Sequence, residues 1–195
     1  MKIILASQSP RRRELLSMIT NNFEVIVSNA EEIIDKKLTN EEQVKHLAKI
    51  KAKAVFDATS NLGDRIVIGS DTIVVKDGKI YGKPKDYADA KSMIEELNHA
   101  KHEVLTGLCV MIQKDGTTQE KIDMGKAEVF WGNMSEKEIE DWIDTNEAYD
   151  KAGGYAIQGK FGVHIEKIEG DYYSIVGLPV HQLYEIIKTY LSDNH

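Results

Sequence analysis

Lys2-Ile3-Ile4-Leu5-Ala6-Ser7-Gln8-Ser9-Pro10-Arg11-Arg12-Arg13-Glu14-Leu15-Leu16 is the stretch that decides the fold. Residues 2–6 are a short continuous apolar run, the pattern of a buried strand. Ser7-Gln8-Ser9 interrupts it. Pro10 directly after Ser9 is the arrangement of an N-cap with proline at the first helical position, and Leu15, Leu16 and Ile19 supply the buried face of the helix that follows. Strand, polar loop and helix therefore come in immediate succession.

The same alternation continues outward from that unit. Residues 23–27 read as a second strand. Thr39 with Glu42 makes a capping box for a helix to about Phe56, with Val44, Leu47, Ala48, Ala54 and Val55 as its apolar stripe. Ile66-Val67-Ile68 and Ile73-Val74-Val75 are two apolar strand runs flanking Gly69-Ser70-Asp71-Thr72. Asp77-Gly78 is a two-residue hairpin signal. Asp86 caps a helix with Ala90, Met93, Ile94 and Leu97 on one face. Residues 104–112 form a long strand, and Asp115-Gly116 turns the chain toward another at 127–131. A second capping box, Ser135 with Glu138, opens a helix that buries Ile139, Trp142 and Ile143. Residues 163–168 and 172–176 read as strands, and a last helix follows Pro179. With helices interleaved and at least two hairpins, the expectation is an α/β fold on a mixed sheet. No repeat, low-complexity tract or linker divides residues 1–195, which read as one domain.

Composition excludes several classes of function. Hydrophobic residues make up 42% and charged residues 29%, too apolar for a disordered chain. A formal charge of -7 disfavours nucleic acid and anionic membranes as partners. No apolar run approaches the roughly 18 residues of a membrane span, and one cysteine, Cys109, supports neither an internal disulfide nor a multi-cysteine zinc site. A soluble cytoplasmic protein is the expectation. The basic residues are unevenly placed: in residues 1–16, Lys2, Arg11, Arg12 and Arg13 stand against Glu14 alone.

Several residues carry candidate chemistry, each against a plainer reading. Arg11, Arg12 and Arg13 in a first helical turn oppose the helix dipole unless an anion sits there, where amides, the Ser7 hydroxyl and guanidiniums converge on phosphate; a solvated basic face is the competing reading. Asp71, between apolar runs, calls for a cation, a metal or a reacting water, or else sits in a bulge or turn bonded to local amides. Gly69 beside it permits close approach of a ligand or another backbone. Lys83 in Gly82-Lys83-Pro84 is held extended by the proline, suited to phosphate or to an exposed strand end. Lys51 is a helix lysine, ordinarily solvated. Glu31 and Glu32 together with Asp71 could ligate Mg²⁺ or Mn²⁺ through oxygen. His99 and His102 lack a third ligand for a metal. Cys109 reads as a core thiol. In Asp150-Lys151-Ala152-Gly153-Gly154-Tyr155-Ala156-Ile157-Gln158-Gly159, a flat ligand could approach the backbone and Gln158 could read a base edge; a glycine-rich connection is the alternative.

Taken in order, residues 4–16, Gly69-Ser70-Asp71-Thr72, Gly82-Lys83-Pro84, His102-Glu103-Val104-Leu105-Thr106, the 150–159 segment and Gly177-Leu178-Pro179 closely resemble the Maf family of nucleoside triphosphate pyrophosphatases. The resemblance implies a mixed, elongated sheet flanked by helices, with two lobes around a cleft, similar to inosine triphosphate pyrophosphatases. It implies metal-dependent hydrolysis (Mg²⁺ or Mn²⁺) of a nucleoside triphosphate to the monophosphate and pyrophosphate. The subgroup acting on dTTP and UTP is the most similar. Asp71 then matches the proposed base, and Arg11, Thr72 and Gln158 match residues tied to substrate choice. Ser7, Arg12, Lys51 and Lys83 would surround the triphosphate, with Glu32 and Asp71 holding the metal. A homodimer is suggested by the resemblance alone. The alternatives are a 7-methyl-GTP pyrophosphatase of the same fold and a non-catalytic nucleotide sensor linked to septum formation. Ser70 and Ala148 depart from the family's usual alanine and proline, and Gly154 and Ala156 from its alanine and glycine.

Overall fold

The computed structural model describes residues 1–31, 33–35 and 37–191. Seven strands form one sheet: β1 (Lys2–Leu5), β2 (Glu24–Val25), β3 (Arg65–Lys76), β4 (Lys79–Tyr81), β5 (Lys101–Lys114), β6 (Thr117–Trp131) and β7 (Ile165–Gly170), in the order β2-β1-β3-β5-β6-β7 with β4 paired to β3. The sheet is mixed, as expected. β1 runs parallel to β2 and β3, whereas β3–β4 and β6–β7 are antiparallel. The helices are α1 (Pro10–Ser17), α2 (Asn40–Ala58), α3 (Tyr87–Leu97), α4 (Glu136–Asp144), α5 (Tyr172–Val176) and α6 (Val180–Ile187).

Local chemistry sets the boundaries. Ser9 caps α1, its hydroxyl accepting from the Arg12 amide with Pro10 at the start of the helix. Both capping boxes are complete, Thr39 with Glu42 on α2 and Ser135 with Glu138 on α4. The Asp86 carboxylate accepts from the Asp89 amide at 2.8 Å to start α3. Asp77-Gly78 and Asp115-Gly116 form turns with both residues at positive φ, the backbone of a type I′ connection.

Two expectations fail. Gly69-Ser70-Asp71-Thr72 is no turn: β3 runs unbroken through it, because small or hydrogen-bonded side chains let the polar residues stay in the ladder. Residues 172–176 form a short helix, not a strand. There the Asp171 carboxylate accepts from the Tyr173 amide and from the Ser174 hydroxyl, and this local cap outweighs the β-propensity of the two tyrosines.

By contact density the chain forms two compact units. The first comprises residues 1–71, 106–125 and 177–195; the second, 72–105 and 126–176. Each has its own core. In the first, Ile4, Ala6, Val67, Cys109 and Met111 of the sheet region pack on Ala48, Ala52, Val55 and Phe56 of α2. In the second, an aromatic cluster of Trp131, Trp142, Tyr155 and Phe161 joins Ile94, Leu97, Ile139 and Ile143. Among the described residues, no helix is long and apolar enough to cross a membrane.

Candidate active site

The first unit assembles its polar residues around two close approaches of backbone to backbone. A Cβ at Gly69 of β3 would lie 2.4 Å from the Ala48 carbonyl oxygen and 2.6 Å from the Ala52 nitrogen. One at Gly107 of β5 would lie 2.2 Å from the Val44 carbonyl oxygen. Glycine at both positions lets α2 rest its main chain directly on the sheet. Of the two readings of Gly69 from sequence, approach of another backbone is the one observed.

That seat determines what α2 presents. Gly69 and Asp71 share one face of β3, since side chains alternate along a strand. Lys51 lies on the same turn of helix as Ala48 and Ala52. Its ammonium consequently reaches the Asp71 carboxylate, forming an ion pair that is largely withdrawn from solvent on both sides, with side-chain exposures of 13% and 9%. Asp71 is therefore not bonded to turn amides. It is a buried carboxylate with a specific cationic partner, the arrangement that makes burial of the charge tolerable.

On the opposite face of β3, Ser70 is fully buried. Its hydroxyl lies 2.9 Å from the Gly107 carbonyl and 3.0 Å from that of Gly177, and can donate its one proton to either. The Gly177 carbonyl also accepts from Arg12 Nε at 2.7 Å, while Arg12 Nη1 donates to the Ser7 hydroxyl oxygen at 3.4 Å. The Ser9 amide donates to the same Ser7 oxygen at 3.2 Å. Ser7, Arg12, Gly177 and Ser70 thus form one hydrogen-bonded polar chain within the first unit, and the Lys51–Asp71 pair stands at the next residue of β3, on its other face. Arg11 is half-buried on the first turn of α1, and Arg13 is exposed.

The second unit holds the remaining candidates. Thr72 follows Asp71 on β3 and is half-buried, while Lys83 and Gln158 are exposed. The segments carrying these last two residues are tied together: the Gly153 amide donates to the Gly82 carbonyl at 2.9 Å. Gly153 makes this contact at φ 70°, and Gly159 after Gln158 has φ 83°, conformations that favour glycine. The Gly154 carbonyl accepts from Trp142 Nε1 at 2.8 Å. His102 and Tyr155 share a buried hydrogen bond, Nε2 to Oη, of 2.7 Å.

Glu32 lies outside the described residues. Among those described, no three His, Cys, Asp or Glu side chains cluster as a metal cage. Mg²⁺, however, is commonly held by one or two carboxylates together with substrate phosphate and water. A single buried aspartate such as Asp71 fits that donor set. Cys109 is a buried core thiol whose pKa burial raises to about 12, so it is protonated and unreactive at neutral pH.

The model of the family described as Maf-like protein matches residues 2–190. This chain belongs to that family. Two relatives illustrate the similarity. A protein named dTTP/UTP pyrophosphatase from Lachnoclostridium phytofermentans is 45% identical over 190 residues, spanning 97% of this chain and 95% of its own length. One of the same name from Thermoanaerobacter sp. strain X514 is 46% identical over 188 residues, 96% of each chain. Among solved structures, the Staphylococcus aureus Ham1 protein is similar at 15% identity and a TM-score of 0.44, covering 67% of this chain and 72% of that one.

Sequence reasoning missed four participants in this family member. Ser70 stood out only as a departure from the usual alanine. Gly107 gave no signal, and Gly177 gave none beyond its motif. His102 fell inside a recognised motif but without a role.

Proposed function

We propose that this chain is a nucleoside triphosphate pyrophosphatase that hydrolyses dTTP and UTP to the monophosphate and pyrophosphate. The observation that carries the reading is the Lys51–Asp71 pair, a buried carboxylate held by a partly buried ammonium, next along β3 to Ser70, whose hydroxyl reaches the Gly177 carbonyl that Arg12 also bonds. The names of the relatives at 45% and 46% identity support the choice of substrate.

In this scheme Arg11, Arg12, Lys51 and Lys83 bind the triphosphate, with Ser7 as a hydroxyl donor. Guanidinium and ammonium groups supply the charge-assisted hydrogen bonds that phosphate oxygens accept. Binding draws Lys51 from Asp71 toward phosphate, which frees a carboxylate oxygen to accept a proton from water. The water oxygen attacks the α-phosphorus in line. The α–β anhydride bond breaks, its electron pair leaving on pyrophosphate, and the proton of the attacking water passes to Asp71. Positioning and charge neutralisation carry most of the acceleration in such chemistry. A divalent cation, Mg²⁺ or Mn²⁺, held by Asp71 and Glu32, supplies neutralisation of the polyphosphate charge when bound. Thr72 and Gln158 select the base, the Gln158 amide donating to and accepting from a pyrimidine edge. A purine is disfavoured because it leaves those polar groups unpaired.

The deciding experiment is a panel of dTTP, UTP, CTP and 7-methyl-GTP with Mg²⁺ or Mn²⁺, with pyrophosphate and orthophosphate measured separately. The expected result is pyrophosphate release with preference for dTTP and UTP. Preference for 7-methyl-GTP overturns the substrate assignment. Binding of dTTP with no release of either product overturns the enzymatic reading in favour of a nucleotide sensor.

A further inference from the structure

The 150–159 segment carries Gln158 on an exposed loop, yet the residues on either side of that loop are deeply set. Tyr155 and Phe161 are both buried. Their ring centroids lie 5.3 Å apart, and each packs on Trp131 at 4.7 Å. The loop from 156 to 160 is therefore stapled at both ends into one aromatic cluster. Phe161 contributes packing alone. Tyr155 contributes packing and a direction: its hydroxyl is hydrogen-bonded to His102 Nε2 at 2.7 Å.

That bond is out of place for a purely structural core. His102 and Tyr155 are 2% and 5% exposed, and His102 meets Trp131 and Tyr155 edge-on at 5.3 Å. Apolar rings would fill the same space with no polar atom to satisfy. Burying hydroxyl and imidazole costs free energy unless their polar atoms pair; Oη and Nε2 pair while His102 Nδ1 is buried without a partner among the described residues, and what the pair adds is a fixed geometry. Burial, followed by the charge of Lys76, lowers the pKa of His102 to about 4, so the ring is neutral under ordinary conditions. The same segment is held by two more directional bonds, Gly153 to the Gly82 carbonyl and Trp142 to the Gly154 carbonyl. All three anchors fall within residues 153–155, immediately before the exposed loop.

We propose that His102 is a positioning residue for nucleotide selection, which through its hydrogen bond to Tyr155 fixes the loop that presents Gln158 to the base. The inference rests on the reading of Gln158 as the base-contacting residue. His102 touches neither substrate nor phosphate in this scheme. Its loss loosens the presentation of the base without changing the groups that act on the α-phosphorus.

The experiment measures kcat and KM for dTTP, UTP and CTP in Tyr155→Phe, His102→Leu, His102→Gln and Gln158→Ala, each checked by urea denaturation. Tyr155→Phe and His102→Leu are expected to raise KM for dTTP and UTP by about three- to tenfold, the range of one lost hydrogen bond. kcat changes by less than about twofold, and discrimination against CTP falls. His102→Gln, whose amide reaches the position of Nε2, restores KM to within about threefold of the parent. The double variant His102→Leu/Tyr155→Phe is no worse than either single one, since both remove the same bond. Equal losses in kcat and KM, or a His102→Gln variant as impaired as His102→Leu, overturn the inference. If Gln158→Ala alters selectivity while a folded Tyr155→Phe does not, the positioning role alone falls. If Gln158→Ala leaves KM and selectivity unchanged, the assignment of Gln158 itself falls.

Discussion

Replacing Gly69 by alanine adds one methyl group to β3 and should disable the site from a position that never touches substrate. The added Cβ would sit 2.4 Å from the Ala48 carbonyl oxygen, 2.6 Å from the Ala52 nitrogen and 2.8 Å from the Ala52 Cβ. Ordinary contact begins near 3.4 Å, so strand and helix must separate by about 1 Å. The two nearest obstacles are helix backbone, which cannot rotate away as a side chain could. Overpacking of this kind costs about 1–3 kcal/mol, to be read as a lowered urea midpoint with an unchanged slope. The activity cost has a separate origin. Lys51 rides on the same helical turn, so the shift that relieves the clash also pulls its ammonium from Asp71. A misplacement of about 1 Å in a reacting constellation costs on the order of a hundredfold in rate. We therefore expect kcat/KM for dTTP to fall by roughly that factor, in a protein that remains folded at low temperature. Ala52→Gly in the same chain should not rescue it, because the closest contact is the Ala48 carbonyl rather than the Ala52 side chain. Gly132→Ala is the control: its Cβ would meet the Glu166 side chain at 3.4 Å and the His164 carbonyl oxygen at 3.7 Å, both ordinary contacts. A Gly69→Ala protein with parental midpoint and kcat/KM would refute the argument that α2 is seated by backbone contact and positions Lys51 by that seat.

Asp71→Asn should reduce turnover by about 10²–10⁴-fold while preserving dTTP affinity, because it removes a proton acceptor and keeps the shape; retained turnover removes Asp71 from the role of base. Ser70→Ala should lower stability by about 1 kcal/mol in urea denaturation and leave Asp71 chemistry intact, since the Gly177 carbonyl keeps its bond from Arg12; a loss of several kcal/mol contradicts this. His102 should make stability pH-dependent. Its folded pKa of about 4 lies below the reference value of 6.5, so the unfolded chain takes up the proton first and stability is lost as pH falls from about 6.5 toward 4. Between pH 7 and pH 5 the stability of the parent relative to His102→Gln should fall by about 2 kcal/mol; a constant difference over that range refutes a buried, neutral His102.

Much of the fold was legible because its signals are local. Ser9-Pro10, the two capping boxes and the Asp-Gly turns each set a boundary with residues a few positions apart, and all were found as expected. The errors also have local causes. Glycine, serine and aspartate in succession read as a break in β3, although burial against α2 and Gly177 keeps them in the ladder. Residues 172–176 read as a strand from their tyrosines, whereas the Asp171 cap made them a helix.

The site was legible only as a set of residue types, and the reason lies in which atoms make the contacts. Lys51 and Asp71 carry side chains whose chemistry announces a role, although their pairing spans 20 positions. Gly177 announces nothing. It joins Arg12 to Ser70 through its carbonyl oxygen, across 165 and 107 positions, and every residue in the chain has a carbonyl. Residue identity can signal a backbone acceptor only indirectly, through the shape that brings it close: no Cβ where two main chains touch, or a positive φ where the chain reverses. Gly69 signals in that way, by what it lacks. A reading of sequence therefore finds the charged half of such a network first. The backbone half, which fixes where those charges stand, emerges only once the strands and α2 are in register.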